Sequence, residues 1–259
     1  HPLLVAGAAD LAGTLAIFGF SRLHDNSSLY DPYWSVAPMA LAVYFGWLGW
    51  GGEAPPVRLL VVGGLVWLWG VRLTFNFYRR WEGVDDEDWR YADYRRDYPR
   101  LYWPLSLAGF HLFPTVLVFG GCLTLYPAMT TGAAPLGWLD GVALLVTLGA
   151  IAIETVADEQ LRDFLDAGHP TGTIMDEGLW AWSRHPNYFG EVGFWWGLWL
   201  FALAADPSLW WTGVGALAIN LLFIFVSLPL IEERHAERRD NYTAHTERVS
   251  RLFLWPPRD

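Results

Sequence analysis

Long apolar runs separated by short polar connections dominate the hydropathy pattern of this chain. A helix needs about 20 mostly apolar residues to cross the hydrocarbon core of a bilayer. The runs that approach this length are 3–20, 33–50, 59–77, 105–126, 138–156, 189–205 and 209–231. Residues 142–153 and 221–230 have no polar face, which argues against a water-soluble helical bundle. The pattern therefore predicts an all-α, polytopic membrane protein with about seven transmembrane helices.

The polar connections between these runs alternate in character. The connections at 51–57, 127–137 and 206–208 are short or poor in arginine, whereas those at 21–32, 78–104 and 157–188 and the tail 232–259 are rich in charge. Of the 17 arginines, only Arg58 falls on the first side. The positive-inside rule then predicts that the N-terminus lies outside and the tail lies in the cytoplasm. No repeat or second domain is visible, so we expect one integral-membrane domain over residues 1–259.

Composition sharpens this interpretation. The 17 Trp, 15 Phe and 11 Tyr residues suit the two membrane interfaces, where amphipathic rings lie at headgroup depth. All basic residues are arginine, whose planar guanidinium group fits phosphate, although codon bias alone could produce the same preference. Cys122 is the only cysteine, which excludes an internal disulfide and a cysteine-based metal cluster. We predict no metal site.

The connection at 78–104 alternates arginines with aromatic residues. Arg80, Trp89, Arg90 and Tyr91 could together stack a base and hold phosphates. The same residues could instead form a solvated loop, whose surface ion pairs contribute little to stability. The acidic run 85–88 argues against a nucleic-acid partner, because it would repel a polyanion.

Two further groups are spaced at helical intervals. Glu154, Asp158 and Arg162 are four residues apart, so they share one helix face. A carboxylate at the depth of Glu154 is costly and usually functional, although a helix-end ion pair is the simpler interpretation for the others. Arg234 and Arg238 in the tail are also four apart and would suit a diphosphate, or they belong to a solvated helix.

A dense polar group opens the sixth apolar run. Arg184, His185, Asn187, Tyr188 and Glu191 lie within eight residues at a predicted helix start. The N-terminus of a helix attracts anions, so this group favours a binding site for a charged ligand. Alternatively, these polar residues only cap the helix where the chain re-enters the membrane, without binding a ligand.

Two polar groups lie close to other apolar runs. Arg72 and Asn76 are near the inner end of the third run, where Arg72 could extend to the interface or point into a polar cavity. Asp31 precedes the second run within the segment 27–35. An interfacial belt would explain the aromatic residues of that segment but not Asp31.

The run Arg184-His185-Pro186-Asn187-Tyr188-Phe189-Gly190-Glu191 resembles the steroid 5-alpha-reductase family. The pattern is shared with a wider superfamily that includes sterol reductases and isoprenylcysteine carboxyl methyltransferases. Asp158 with Arg162, and the final Tyr242, Arg251 and Pro256, are similar to the reductase branch. Segments 31–35 and 87–91 resemble its bacterial members.

This resemblance implies NADPH-dependent reduction of the Δ4 double bond of a 3-oxosteroid or a similar hydrophobic enone, an activity of steroid and lipid metabolism. No Gly-x-Gly-x-x-Gly motif occurs, so the cofactor would lie among the cytoplasmic loops without a Rossmann fold. The predicted cofactor-binding residues are Arg72, Asn76, Arg80, Trp89, Arg90, Tyr91, Glu154, Asp158, Arg162, Arg184, His185, Asn187, Tyr188, Glu191, Arg234 and Arg238.

Reduction of an enone also requires a proton donor near the ketone oxygen, where negative charge develops. The family uses a carboxylate from the second span and a tyrosine from the third, but the matched third-span position here is Trp69. We therefore assign the donor role to Tyr33, assisted by Asp31. The lipophilic substrate would enter from the bilayer, and membrane lipid would surround the chain.

Two other functions compete with the reductase. One is an S-adenosylmethionine-dependent isoprenylcysteine-type carboxyl methyltransferase, and the other is a non-enzymatic membrane scaffold. The arginine content favours NADPH, because S-adenosylmethionine has no phosphate. The resemblance to bacterial members further implies an inner-membrane protein whose active site faces the cytoplasm, and we expect a monomer.

Overall fold

The computed structural model describes residues 1–258, and 76% of the chain is helical. Within that range no strand forms; the only β-type pairing is an isolated parallel bridge between Ser183 and Ser250. The prediction of an all-α fold is therefore confirmed.

The α-helices are numbered in chain order. Their bounds are α1 Pro2–Leu23, α2 Tyr33–Gly49, α3 Pro56–Tyr78, α4 Trp89–Asp97, α5 Tyr102–Leu105, α6 Phe113–Cys122, α7 Trp138–Asp166, α8 Pro186–Ala205, α9 Val214–Leu222, α10 Leu228–Arg238 and α11 Tyr242–Arg248. Short 3₁₀ segments at Ser27–Tyr30, Gly178–Ala181 and Pro207–Gly213 join them. Short π-helical segments at Ser106–Leu112, Pro127–Thr131 and Phe223–Ser227 continue neighbouring helices.

Among residues 1–258, five helical stretches are long and apolar enough to cross a membrane. They are Pro2–Leu23, Pro56–Tyr78, Tyr102–Thr131, Trp138–Asp166 and Pro207–Arg238. They leave large apolar side chains uncovered, among them Leu145 at 73% and Phe225 at 71% exposure, which a bilayer tolerates and water does not. The chain is thus an integral membrane protein. Helices α2 and α8 lie where the sequence predicted two more spans, and the total of seven stays a prediction.

The chain folds into two compact units. Unit 1 comprises His1–Asp140 and Phe201–Gly215, and its core contains Phe45, Val62 and Trp69, all fully buried. The residue at the family's tyrosine position, Trp69, is therefore a core residue. Unit 2 comprises Gly141–Leu200 and the chain from Ala216 onward, and its core contains Phe194 and Leu198.

In unit 1, a network of hydrogen bonds joins the loop between α3 and α4 to the connection between α1 and α2. The side-chain amide of Asn26 donates to the carbonyl oxygens of Val84 and Asp86, each at 2.8 Å. The backbone amide of Ser27 donates to Glu87 Oε1 at 2.8 Å. These bonds satisfy backbone groups of two irregular segments and so fix the position of α4, which begins directly after them.

A buried ion pair, which the sequence did not predict, lies in unit 1. Arg58 Nε and Nη2 donate to the two oxygens of Asp140 at 2.6 and 2.9 Å. Arg58 Nη1 also donates to the carbonyl oxygen of Ala134 at 2.9 Å, and the arginine side chain is 0% exposed. Arg58, the one arginine on the arginine-poor side of the predicted topology, is therefore a buried structural residue and not a charged residue of an exposed loop.

Candidate functional site

Gly190 lets the polar group at the start of α8 approach α7 closely. A Cβ atom at Gly190 would lie 2.6 Å from the Glu154 Cβ and 2.7 Å from the carbonyl oxygen of Ala150. Only a glycine fits at such a distance, so the first turn of α8 lies directly against the part of α7 that carries Glu154. Gly190 therefore allows the close helix packing that places the polar residues at the start of α8 beside Glu154 of α7.

Replacing Gly190 by alanine is expected to destabilise the protein by about 1–3 kcal/mol, because the added methyl group overpacks the contact with α7. Thermal unfolding of the purified protein in detergent measures this loss. The matched control is Gly149→Ala, since nothing lies within 4 Å of a Cβ at Gly149. Equal stability of the two variants would show that the helices separate freely at Gly190.

Three carboxylates are buried at this meeting of helices. Glu154 and Asp158 come from α7, Glu191 comes from α8, and each is almost completely shielded from solvent. The Asn187 side-chain amide donates to Asp158 Oδ1 at 3.3 Å, and the Trp195 indole donates to Glu191 Oε1 at 2.9 Å. Buried acids in a membrane helix are costly, which makes them candidates for ligand binding.

Arg162 does not contact the acid with which the sequence grouped it. Its guanidinium group donates to Glu159 and, at 3.4 Å, to Asp163. The expected ion pair of Asp158 with Arg162 therefore does not form within residues 1–258, although the two residues are one turn apart. Asp158 is instead joined to the motif through Asn187.

Glu232 of α10 gathers three cationic or titratable groups around its carboxylate. Arg184 Nη2 lies 2.6 Å from Oε1, Arg251 Nη2 lies 2.7 Å from Oε2, and His185 Nε2 lies 3.4 Å from Oε1. Burial lowers the pKa of His185, and the nearby Glu232 carboxylate works in the opposite direction. The imidazole is therefore mostly neutral at pH 7.

Arg184 uses its remaining donors to hold the C-terminal segment. Its Nη1 donates to the carbonyl oxygens of Thr246 at 2.8 Å and Val249 at 3.1 Å. With its Nε and Nη2 on Glu232, every nitrogen of this guanidinium group has a partner, and the side chain joins three segments of unit 2. Its geometry supports a structural role rather than the predicted contact with a cofactor phosphate.

Other predicted residues of unit 2 lie around this cluster. Tyr188 packs edge-to-face against Phe223, with ring centres 4.8 Å apart, and against His185. Arg234 is partly buried, and Arg238 at the end of α10 is exposed. The structure thus joins Asn187 to Asp158, and it places His185 and Tyr188 against each other beside Glu232.

Unit 1 contains a second polar group, centred on Asp31. The Tyr91 hydroxyl donates to Asp31 Oδ1 at 2.5 Å, and Arg90 Nη2 lies 3.9 Å from Asp31 Oδ2. Burial raises the pKa of Asp31 to about 6, against the lowering effects of the Arg90 charge and the Tyr91 hydrogen bond. Burial likewise raises the pKa of Tyr91. Asp31 can therefore gain a proton near pH 6, whereas the Tyr91 phenol that is hydrogen-bonded to it stays protonated.

Tyr33 does not take part in this group, contrary to the sequence-based assignment. Its hydroxyl lies 2.8 Å from both Oδ1 and the carbonyl oxygen of Asp10, to which it donates. Among residues 1–258, no hydrogen bond joins Tyr33 to Asp31. The expected contact between Tyr33 and Asp31 does not form among these residues, and the tyrosine that contacts Asp31 is Tyr91.

The remaining predicted residues of unit 1 lie near the end of α3 and the start of α4. Arg72 and Asn76 are partly buried on α3, Arg80 is exposed just after it, and Trp89 is the partly buried first residue of α4.

Comparison with known proteins decides the family. The model of a family described as "Protein of unknown function (DUF1295)" matches residues 17–249. The chain belongs to the DUF1295 family. This family lies in the steroid reductase superfamily, so the resemblance of residues 184–191 is confirmed at that level, and the 5-alpha-reductase assignment stays a prediction.

A relative of this DUF1295 chain is "Uncharacterized protein C594.04c" of Schizosaccharomyces pombe. The two sequences are 29% identical over 260 residues, which cover 92% of this chain and 75% of the yeast protein. No solved structure matches the chain significantly.

Proposed function

We propose that this protein is an NADPH-dependent reductase of a hydrophobic enone, with Δ4-3-oxosteroids as the first substrate class to test. The observation that carries the proposal is the burial of Glu154, Asp158 and Glu191 beside Asn187 where α8 meets α7. This is the region that carries the motif of the superfamily. A membrane scaffold would gain nothing from three buried acids.

The donor set of unit 2 suits a dinucleotide. Carboxylates accept hydrogen bonds from ribose hydroxyls and from a carboxamide, and an asparagine side chain both donates and accepts. Arg234 and Arg238 are the arginines of α10 that would meet phosphates, whereas each guanidinium nitrogen of Arg184 already has a partner within the chain. When bound, NADPH would supply the hydride that the chain's own side chains cannot provide.

We assign the proton donor to Tyr91 and a positioning role to Asp31. In the structure the Tyr91 hydroxyl donates a hydrogen bond to the Asp31 carboxylate. A protonated Asp31 can instead donate to the phenol oxygen, which frees the Tyr91 proton for a ketone oxygen that gains negative charge. Tyr91 would thus supply the proton that neutralises the enolate, and a bound NADPH would supply the hydride for the β-carbon of the enone.

Activity is expected to fall as the pH rises through about 6, because the raised pKa of Asp31 keeps its carboxyl protonated only below that value. Asp31→Asn should remove this dependence, since its amide can donate to Tyr91 at any pH. The measurement is the pH profile of kcat/KM, with the exposed Asp97→Asn as the matched control. If the pH profile of Asp31→Asn matched that of the wild type, Asp31 would have a structural role only and would not position the Tyr91 proton.

The proposal also covers the setting of the reaction. The N-terminus would lie outside, and the arginine-rich connections and active site would face the cytoplasm of a bacterial inner membrane. Apolar surfaces such as that around Leu145 would let a lipid-like substrate reach the helices from the bilayer.

The direct test supplies NADPH and progesterone to the purified protein in nanodiscs and follows cofactor oxidation and steroid mass. The expected product carries two additional hydrogens. A parallel reaction supplies S-adenosylmethionine and a farnesylated cysteine analogue. Methyl transfer in the second reaction, with no reduction of progesterone in the first, would favour the methyltransferase over the reductase.

A further inference from the structure

A cavity of about 760 Å³ opens beside the start of α8, between that helix and the C-terminal segment. Four of its lining residues are arginines, Arg184, Arg248, Arg251 and Arg258, and Glu247 is the one acid among them. A cavity of this size accommodates a small organic ligand. The excess of guanidinium groups favours an anion.

Most of these arginines keep hydrogen-bonding capacity. Each guanidinium nitrogen of Arg184 has a partner, but Arg251 uses Nη2 on Glu232 and leaves its buried Nε without a partner within residues 1–258. Arg248 and Arg258 are exposed and form no salt bridge with any residue that the structure describes. The backbone amide of Arg258 donates to the carbonyl oxygen of Arg248 at 2.9 Å, which holds these two arginines close to each other.

The rest of the cavity wall is aromatic and apolar. Phe189 in the first turn of α8 contacts Phe253, with ring centres 6.0 Å apart. Phe253 and Trp255 are 66% and 69% exposed, a degree of exposure that is typical of aromatic residues at a membrane interface. Two arginines of the cavity wall, Arg184 and Arg251, bind Glu232, which lies near the end of the stretch Pro207–Arg238 that is long and apolar enough to cross a membrane. The cavity therefore lies close to one end of this stretch, where lipid headgroups are expected.

We propose that this cavity binds the headgroup of an anionic phospholipid. The arginines would hold the phosphate, and the exposed Phe253 and Trp255 would border the first carbons of the acyl chains. Basic pockets at the ends of membrane helices suit such headgroups. A free phosphate would leave the aromatic wall unused. This site is independent of the proposed reductase activity.

The test measures thermal unfolding of the delipidated protein in detergent with four additives: phosphatidylglycerol, phosphatidylcholine, glycerol 3-phosphate and NADPH. The variants are Arg248→Gln/Arg258→Gln and, as a control with the same change in charge, Arg22→Gln/Arg100→Gln at exposed positions of unit 1. We expect phosphatidylglycerol alone among the lipids to raise the unfolding temperature. The cavity variant should abolish most of this shift, and the control variant should keep it.

Four results would overturn the proposal. Equal shifts with the two lipids would show that the charge of the headgroup is not recognised. A full shift with glycerol 3-phosphate would identify a site for free phosphates instead. Equal losses in the two double variants would show that only the overall charge matters. Competition between NADPH and phosphatidylglycerol for the shift would assign the cavity to the cofactor.

Discussion

Asp140→Asn is expected to destabilise the protein by about 3–5 kcal/mol, the cost of leaving one partner of a buried ion pair alone. The substitution leaves the Arg58 guanidinium group buried and without a counter-charge, because Asp140 is its only acidic partner within residues 1–258. Thermal unfolding in detergent measures the change. The matched control is Asp166→Asn, which removes an exposed acid from the same helix α7.

A second variant separates the cost of a lone charge from the cost of lost packing. Replacing both partners, in Arg58→Met/Asp140→Leu, removes the buried charge altogether and is expected to recover most of the stability that Asp140→Asn loses. If the double variant were less stable than Asp140→Asn, the pair would contribute through its bonds to Ala134 and Pro135 rather than through charge compensation.

Asn187→Ala and Glu191→Gln are expected to weaken NADPH binding by about 10- to 100-fold each, because each removes a hydrogen bond to a charged or polar ligand group worth about 1.5–3 kcal/mol. The change at Glu191 keeps an oxygen for the Trp195 indole, so the helix contact survives. Equilibrium binding of NADPH measures the loss, and unfolding in the absence of ligand checks that the fold is intact.

The control for this pair is Asn241→Ala, which removes an exposed side-chain amide in the connection before α11. Its affinity for NADPH should equal that of the wild type. Normal NADPH binding by both Asn187→Ala and Glu191→Gln would remove the motif at the start of α8 from the cofactor site.

The sequence predicted the helices well because apolar runs are a local signal. The predicted run 59–77 became Pro56–Tyr78, and the run 189–205 became Pro186–Ala205. Both helices begin at a proline, which fits the first helical position, where no backbone N–H is required. The fourth run is longer than predicted, because π-helical turns carry the helix on either side of α6.

The sequence named at least one residue of each of these polar pairs but did not predict the pairing. Arg58 and Asp140 are 82 positions apart, Arg184 and Glu232 are 48 apart, and Asp31 and Tyr91 are 60 apart. Such contacts depend on how the helices pack, which no local pattern encodes. One error was avoidable: Asp31 and Tyr33 are two residues apart at the start of a helix, and residues at that spacing do not face each other.

The most direct test of the proposed function is whether the purified wild-type protein is stabilised by NADPH. A ligand present at 100 times its Kd raises the free energy of unfolding by about 2.7 kcal/mol, a shift that thermal unfolding resolves easily. We expect a clear shift with NADPH, a smaller one with NADH and none with S-adenosylmethionine. A shift with S-adenosylmethionine and none with NADPH would contradict the assignment of this protein as a reductase.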